Sequence, residues 1–196
     1  MINFTNIEEL PIILENGYVL DKLPPSIASD INELYLKTRK WTRKEHKEEA
    51  LCVEGHSEIS ALARYEGQRD RITQMLLPYH EDIFGYKLKS HLMYGVRTYK
   101  KGSTLGMHQD KPATHHVGSI VVVDKDLNGE EDWPLAILDH KGNEHRVNIN
   151  VGDIFYYEAA RLFHGRPYPL LGNSYSIIMN HFYFTDYQYI PPRTVI

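Results

Sequence analysis

Apolar positions recur at helical spacing in the first part of the chain and at strand spacing in the second. In "PPSIASDINELYLKTRKW", Ile27, Ile31, Leu34 and Tyr35 share one helical face, and Ser26 stands where an N-cap belongs. A longer helix is predicted from Glu58 to Ile83, with Ile59, Leu62, Ile72, Met75, Leu76 and Tyr79 as its apolar members. "YVLDKL" reads as a strand, and the charged "TRKEHKEEALCVEGHSE" between the helices reads as an exposed connector. From Lys87 onward the texture changes. "HLMYGVRTY", "SIVVVD", "PLAILD", "HRVNI", "DIFYYE" and "YSIIMNHFYF" are strand-like runs separated by Gly, Pro, Asn and Asp, and "ILDHKGNEHRVNI" reads as a hairpin with a Gly-Asn turn. Short strands at this spacing after two helices predict an α+β fold: a jelly roll or barrel with helices packed on one side.

Composition narrows the class. At 196 residues and 42% hydrophobic, the chain is expected to form a single domain spanning 1–196, with 1–86 as helical support and 87–190 as the sheet core. Such a core needs no structural metal, so an ion bound here would be functional. The formal charge of -4, with acids and bases mixed, argues against a nucleic-acid partner. Cys52 is the lone cysteine, which excludes a disulfide framework or thiolate zinc cluster and fits a cytoplasmic setting. No long apolar run suggests a membrane span.

The chemistry concentrates in "GMHQDKPATHH". H-x-D occurs twice, and geometry separates the two copies. His80 and Asp82 fall on the second predicted helix, where residues two apart diverge, so that pair is expected at the surface. His108 and Asp110 follow a strand-like run, and in extended backbone residues two apart face the same way. His164, far downstream in "RLFHGRP" on a separate predicted strand, is a candidate third ligand; on the residues alone, a polar loop remains the alternative. Two imidazoles and a carboxylate can take one face of an octahedral ion and leave three positions open, as in the non-haem Fe(II) oxygenases.

"RTYKKGSTLGMHQD" (Arg97–Asp110) and "WPLAILDHKGNEHRVNINVGDIFYYEAARLFHGRPYPLLGNSYSIIMNHF" (Trp133–Phe182) resemble ordered motifs of the prolyl 4-hydroxylase-like Fe(II)/2-oxoglutarate dioxygenases. The resemblance covers about residues 90–185. It implies a double-stranded β-helix (jelly roll, cupin-like) with the helices on its major sheet, and Fe(II) held by His108, Asp110 and His164. It further implies 2-oxoglutarate as co-substrate with O2, ascorbate as a supporting reductant, release of succinate and CO2, and hydroxylation of an unactivated C–H bond. Proline in a peptide or protein is the target it points to. Asp110 disfavours halogenation, because halogenases of this kind carry a small residue there. Tyr99 matches the co-substrate tyrosine and Ser176 a hydroxyl often found in the co-substrate site.

One position departs from the pattern. Where the family places a Lys or Arg for the distal carboxylate of 2-oxoglutarate, this chain has Ser174. A buried carboxylate needs a cation, and Arg166 in "HGRP" is the first candidate, with Arg97 second. His115 and His116 are expected in a loop near the substrate entrance, His181 as a structural histidine with a satisfied ring, and Trp133 as packing. Glu158 is open between facing the substrate and being a plain surface acid. The segment "KEEALCVEGHSE" and the loop after Asp110 are expected to close over an extended peptide. A free amino acid or other small molecule remains an alternative substrate. A cupin-like binding protein without turnover is the contrasting class, and oxidative repair of nucleic acid is disfavoured by the acidic balance.

Overall fold

A computed structural model describes residues 7–46, 52–60 and 65–189. Leu62 of the expected second helix and residues 47–51 of the expected mobile segment lie outside the described residues. The elements in chain order are β1 (Tyr18–Lys22), α1 (Pro25–Thr38), β2 (Thr42–Lys44), β3 (Val53–Glu54), β4 (Ser57–Ser60), α2 (Glu66–Phe84), β5 (Tyr86–Lys100), β6 (Thr104–His108), β7 (Val117–Asp126), β8 (Leu135–Leu138), β9 (Glu144–Val147), β10 (Asp153–Tyr157), β11 (His164–Arg166) and β12 (Ser174–Tyr189). Two antiparallel sheets face each other. The major sheet runs β1-β10-β7-β12-β5-β4-β2 and the minor sheet β3-β6-β11-β8-β9. No helix among the described residues is long and apolar enough to cross a membrane.

Strand alternation builds two separate cores. On β7, Val117, Val121 and Val123 join α1 and α2 in one cluster, while Ile120 and Val122 turn to the space between the sheets. On β10, Ile154 and Tyr156 face the helices, and Phe155 and Tyr157 face inward. The helices therefore cover the outer face of the major sheet, which leaves the inter-sheet space for a site.

Several expectations are corrected here. Ser26 does not cap α1: Pro24 holds the N-cap position and Pro25 the first turn, where a missing N–H costs nothing. Glu58 and Ile59 lie on β4, not on a helix; α2 starts at Glu66 and stops where left-handed Gly85 caps it. Tyr79 is exposed, and the buried stripe of α2 is instead Ile72, Leu76, His80 and Phe84 at four-residue spacing. The connector between the helices carries β2, β3 and β4, so the first 86 residues contribute strands to both sheets. The β8–β9 hairpin forms, but its turn is longer than a Gly-Asn pair: Gly142 donates to Asp139 O from a left-handed conformation, and the Asp139 carboxylate takes the N–H groups of Lys141 and Asn143.

His80 is the sharpest of these corrections, being fully buried where a surface residue was expected. Its Nδ1–H donates to Leu76 O, and its ring lies 4.2 Å from that of Phe182 and 4.9 Å from that of Tyr156. Burial pushes its pKa from 6.5 down to about 4. The unfolded chain then takes up a proton in this window that the folded chain refuses. His80 thus favours the folded state fully above pH 6.5, and that advantage falls away as the pH drops toward 4, by up to about 3 kcal/mol. His80→Phe is expected to flatten this acid loss, seen as a smaller drop in urea midpoint between about pH 7.5 and pH 5 than in the wild type.

Candidate metal and co-substrate site

The site is set by one cross-strand register. β11 pairs antiparallel with β6 so that His164 sits directly opposite His108, and their rings lie 4.5 Å apart. Asp110 follows β6, with its backbone N–H fixed on Ala159 O. The ligand atoms of His108, Asp110 and His164 all lie within 4.8 Å of one another, and His108 Nε2 is 3.7 Å from Asp110 Oδ1. These three could hold a metal ion.

Both histidines are oriented by the same device. His108 Nδ1 lies 2.8 Å from Gly106 O, and His164 Nδ1 lies 2.9 Å from Leu162 O. A carbonyl only accepts, so Nδ1 carries the proton and Nε2 keeps a free lone pair facing its partners. Burial holds the His164 pKa down to about 4, so the ring is neutral at pH 7, as ligation requires.

The Asp110 carboxylate is held on the side away from His108. Its Oδ2 lies 3.2 Å from His181 Nε2 and 3.5 Å from the Tyr157 hydroxyl, leaving Oδ1 toward the histidines. Burial alone would raise this carboxyl, but the His181 hydrogen bond and the neighbouring imidazoles hold it well below the usual carboxylate range. Tyr157, pushed well above 10 by burial and by Asp110, remains a donor.

His181 is therefore not a histidine with a satisfied ring: Nε2 meets Asp110, and among the described residues Nδ1 has no partner. Neither His181 nor Tyr157 was singled out for this site from sequence, although the period-two run Ile177, Met179, His181 shares the cavity wall.

Gly165, between His164 and Arg166, allows the close approach of β11 to β6. A Cβ there would stand 2.7 Å from both Leu105 O and Gly106 O, and Gly106 O is the acceptor that orients His108. Gly165→Ala is expected to push the strands apart, lowering Co(II) affinity by about tenfold or more and stability by about 1–3 kcal/mol. Metal titration and thermal melts of the variant check this.

Arg166 lies beyond Gly165, with 1% of its surface exposed. Its guanidinium carbon sits 4.9 Å from the Trp133 ring and 4.5 Å from the Tyr175 ring. Among the described residues neither terminal nitrogen has a hydrogen-bond partner. The buried Tyr99 hydroxyl also lacks one, and the Tyr99 ring packs edge-on against Trp133, 5.0 Å away. Donors without acceptors thus gather around Trp133, which itself packs and donates to Tyr168 O. A buried cation without a counter-charge is costly, so this corner suits an anion.

Ser176 does not face this site. It shares a hydrogen bond with Thr98 and, with Ser174, lines a small polar pocket that includes Tyr35 and Arg39 of the α1 region. On β12 the inward positions are Tyr175 and Ile177, so the serines lie on the opposite face of the sheet. Arg97 faces the cavity with one edge of its guanidinium taken: Nε and Nη2 donate to the two carboxylate oxygens of Glu45 at 2.7 and 2.8 Å.

His115 and His116 lie in the loop after Asp110 as expected, yet both are buried. His115 lines the cavity with its ring 4.2 Å from that of His181, while His116 accepts the Phe184 N–H away from the cavity. Glu158 faces neither substrate nor solvent: its buried carboxylate accepts the N–H groups of Ile13 and Leu14 and ties that segment to the end of β10.

His108, Asp110, His115, Tyr157, His164, Arg166 and His181 open onto one cavity of about 460 Å³. Structures of the same architecture are known. A prolyl-4-hydroxylase from Pseudomonas putida is 13% identical with a TM-score of 0.57, covering 88% of this chain and 95% of that one. A prolyl hydroxylase from Trichoplax adhaerens, bound to a fragment of the hypoxia inducible factor oxygen degradation domain, is 12% identical with a TM-score of 0.64 over 87% and 84%. HygX from Streptomyces hygroscopicus, with nickel, 2-oxoglutarate and hygromycin B bound, is 13% identical with a TM-score of 0.60 over 87% and 84%. The chain has their fold. No protein-family model matches the sequence, and no curated protein matches it. Within this fold, the cluster of His108, Asp110 and His164 lies in a cavity that Arg166 also lines.

Proposed function

We propose that the chain is an Fe(II)- and 2-oxoglutarate-dependent dioxygenase that hydroxylates an unactivated C–H bond, with a proline in a peptide or protein as its target. The observation that carries this reading is one cavity offering a two-histidine, one-carboxylate ligand set beside a buried cation that lacks a counter-charge among the described residues. The iron, once bound, would supply the oxygen chemistry and leave coordination positions for the co-substrate. His108, Asp110 and His164 would hold it, and Arg166 would grip the distal carboxylate of 2-oxoglutarate with both terminal nitrogens while Tyr99 donates a further hydrogen bond. Trp133 and Tyr175 would fix the guanidinium plane, and the buried walls would keep water from the reacting groups.

The proline target rests on the sequence resemblance and on likeness to prolyl hydroxylases, one of which holds a peptide. A small-molecule substrate is the second reading. It is favoured by the cavity size, which falls within the range of small-molecule sites, and by the hygromycin B held in HygX. The binding-protein alternative drew its support from Ser174, and Ser174 turned away from the cavity removes that support.

The test is turnover. Protein loaded with Fe(II) and ascorbate should convert 2-oxoglutarate to succinate and add one oxygen to a proline peptide, read by mass spectrometry. Co-substrate turnover without oxygen gain in any peptide favours the small-molecule reading, and no succinate under any condition removes the enzyme reading.

A further inference from the structure

We propose that the substrate enters this cavity carrying a carboxylate, which the open edge of Arg97 receives. The inference rests on the dioxygenase reading and adds a substrate class to it. Arg97 lies on the inner face of β5, and the register places it in a row across the major sheet. Arg43 on β2 pairs with Ile59 on β4, Ile59 pairs with Arg97, and Arg97 pairs with Ile177 on β12. All four line the cavity, so two guanidinium groups flank an apolar spacer on one wall.

The way Glu45 holds Arg97 leaves this role open. A guanidinium presents its five N–H donors along two edges. Glu45 occupies the edge made by Nε and Nη2, and Ser57 in turn donates to the same carboxylate. The other edge, Nη1 with the second hydrogen of Nη2, is left toward the cavity, where the hydrogen bond of Nη1 is to the sulfur of Met179 at 3.9 Å. Sulfur is a weak acceptor, so a carboxylate arriving there would gain two charge-assisted bonds on a side chain already fixed in place.

Charge points the same way. Among the described residues, Arg97, Lys111 and Arg166 line the cavity against the carboxylates of Glu45 and Asp110, a surplus of one positive charge without counting Arg43. Fe(II) and 2-oxoglutarate carry equal and opposite charge, so loading both leaves that surplus unchanged. The chain as a whole has a formal charge of -4, so the cavity opposes its own surroundings and would draw in an anion.

The experiment uses the full chain loaded with Mn(II) and 2-oxoglutarate, in which no turnover competes with binding. Binding of both is first measured without substrate. Three proline peptides are then compared that differ only in carrying Glu, Gln or Lys beside the proline, together with free proline and prolinamide. The expected result is binding of the Glu peptide at least about tenfold tighter than the Gln and Lys peptides, or of proline over prolinamide, weakening as salt rises. Which of the two contrasts appears tells a side-chain carboxylate in a peptide from the α-carboxylate of a free amino acid. Arg97→Lys, which keeps the charge and loses the fork, should erase most of the preference. Arg43→Gln, an exposed substitution, should reduce it should Arg97→Lys fail to fold. Equal binding across the charge series, or no binding of any anionic probe, overturns the proposal. So does a loss of 2-oxoglutarate affinity in Arg97→Lys as large as the loss of substrate affinity, which would place the co-substrate on Arg97. Failure of Mn(II) and 2-oxoglutarate to bind in the first step is a separate outcome, and it removes the dioxygenase reading together with this one.

Discussion

Asp110→Ala is expected to lower Mn(II) or Co(II) affinity by about two orders of magnitude or more and to take succinate formation down with it. Asp110 is the one carboxylate of the proposed ligand set, and it alone would bring negative charge to an ion that His108 and His164 would otherwise hold. The loss should far exceed that of His181→Ala, which removes a hydrogen bond to Oδ2 but leaves Oδ1 in place. About tenfold is expected for that variant. Asp110→Asn separates charge from shape: an amide can still meet His181 and Tyr157, yet it is a poor ligand. Calorimetric metal titration of the three variants checks the order. An Asp110→Ala protein that binds metal like the wild type would remove the carboxylate from the ligand set.

Arg166→Met is expected to have two effects of opposite sign. Apparent affinity for 2-oxoglutarate should fall by about a hundredfold, because the distal carboxylate would be buried without its cation. Mn(II) affinity measured without 2-oxoglutarate should change little, since Arg166 is not in the ligand set. Stability of the ligand-free chain should instead rise, by about 1–4 kcal/mol. The wild type buries a guanidinium whose terminal nitrogens have no partner among the described residues, and a thioether of similar length on Trp133 and Tyr175 carries no such penalty. A higher melting temperature together with lost co-substrate binding is the signature of a residue kept for its ligand. An unchanged affinity for 2-oxoglutarate would end the assignment of Arg166, and Tyr99→Phe provides a milder companion measurement.

The sheet half of the fold was legible because "SIVVVD", "DIFYYE" and "YSIIMNHFYF" alternate between two faces that are both buried, a pattern that turn residues punctuate. Ile59 was misplaced because β4 is four residues long, and its single inward isoleucine fits a helical period as well as a strand period. Ser176 was misread for a related reason. On a strand, one residue of register decides the face, and nothing local in "GNSYS" says that Tyr175 turns inward. The metal cluster was legible as residue types and spacing, while its support was not. His181, Tyr157 and Glu45 act through partners far away in sequence, and only the folded sheets bring them together.

The pairing of His164 with His108 would tie the order of folding to the loading of any metal held there. The two imidazoles belong to strands separated by β7, β8, β9 and β10, so the ligand set cannot exist in a partly folded chain that has formed only its first half. A nascent chain would present His108 and Asp110 as a weak two-point ligand, and tight capture would wait until β11 zips onto β6. An ion bound after that point acts as a late cross-link across a large loop. It should slow unfolding of the finished molecule far more than it speeds folding.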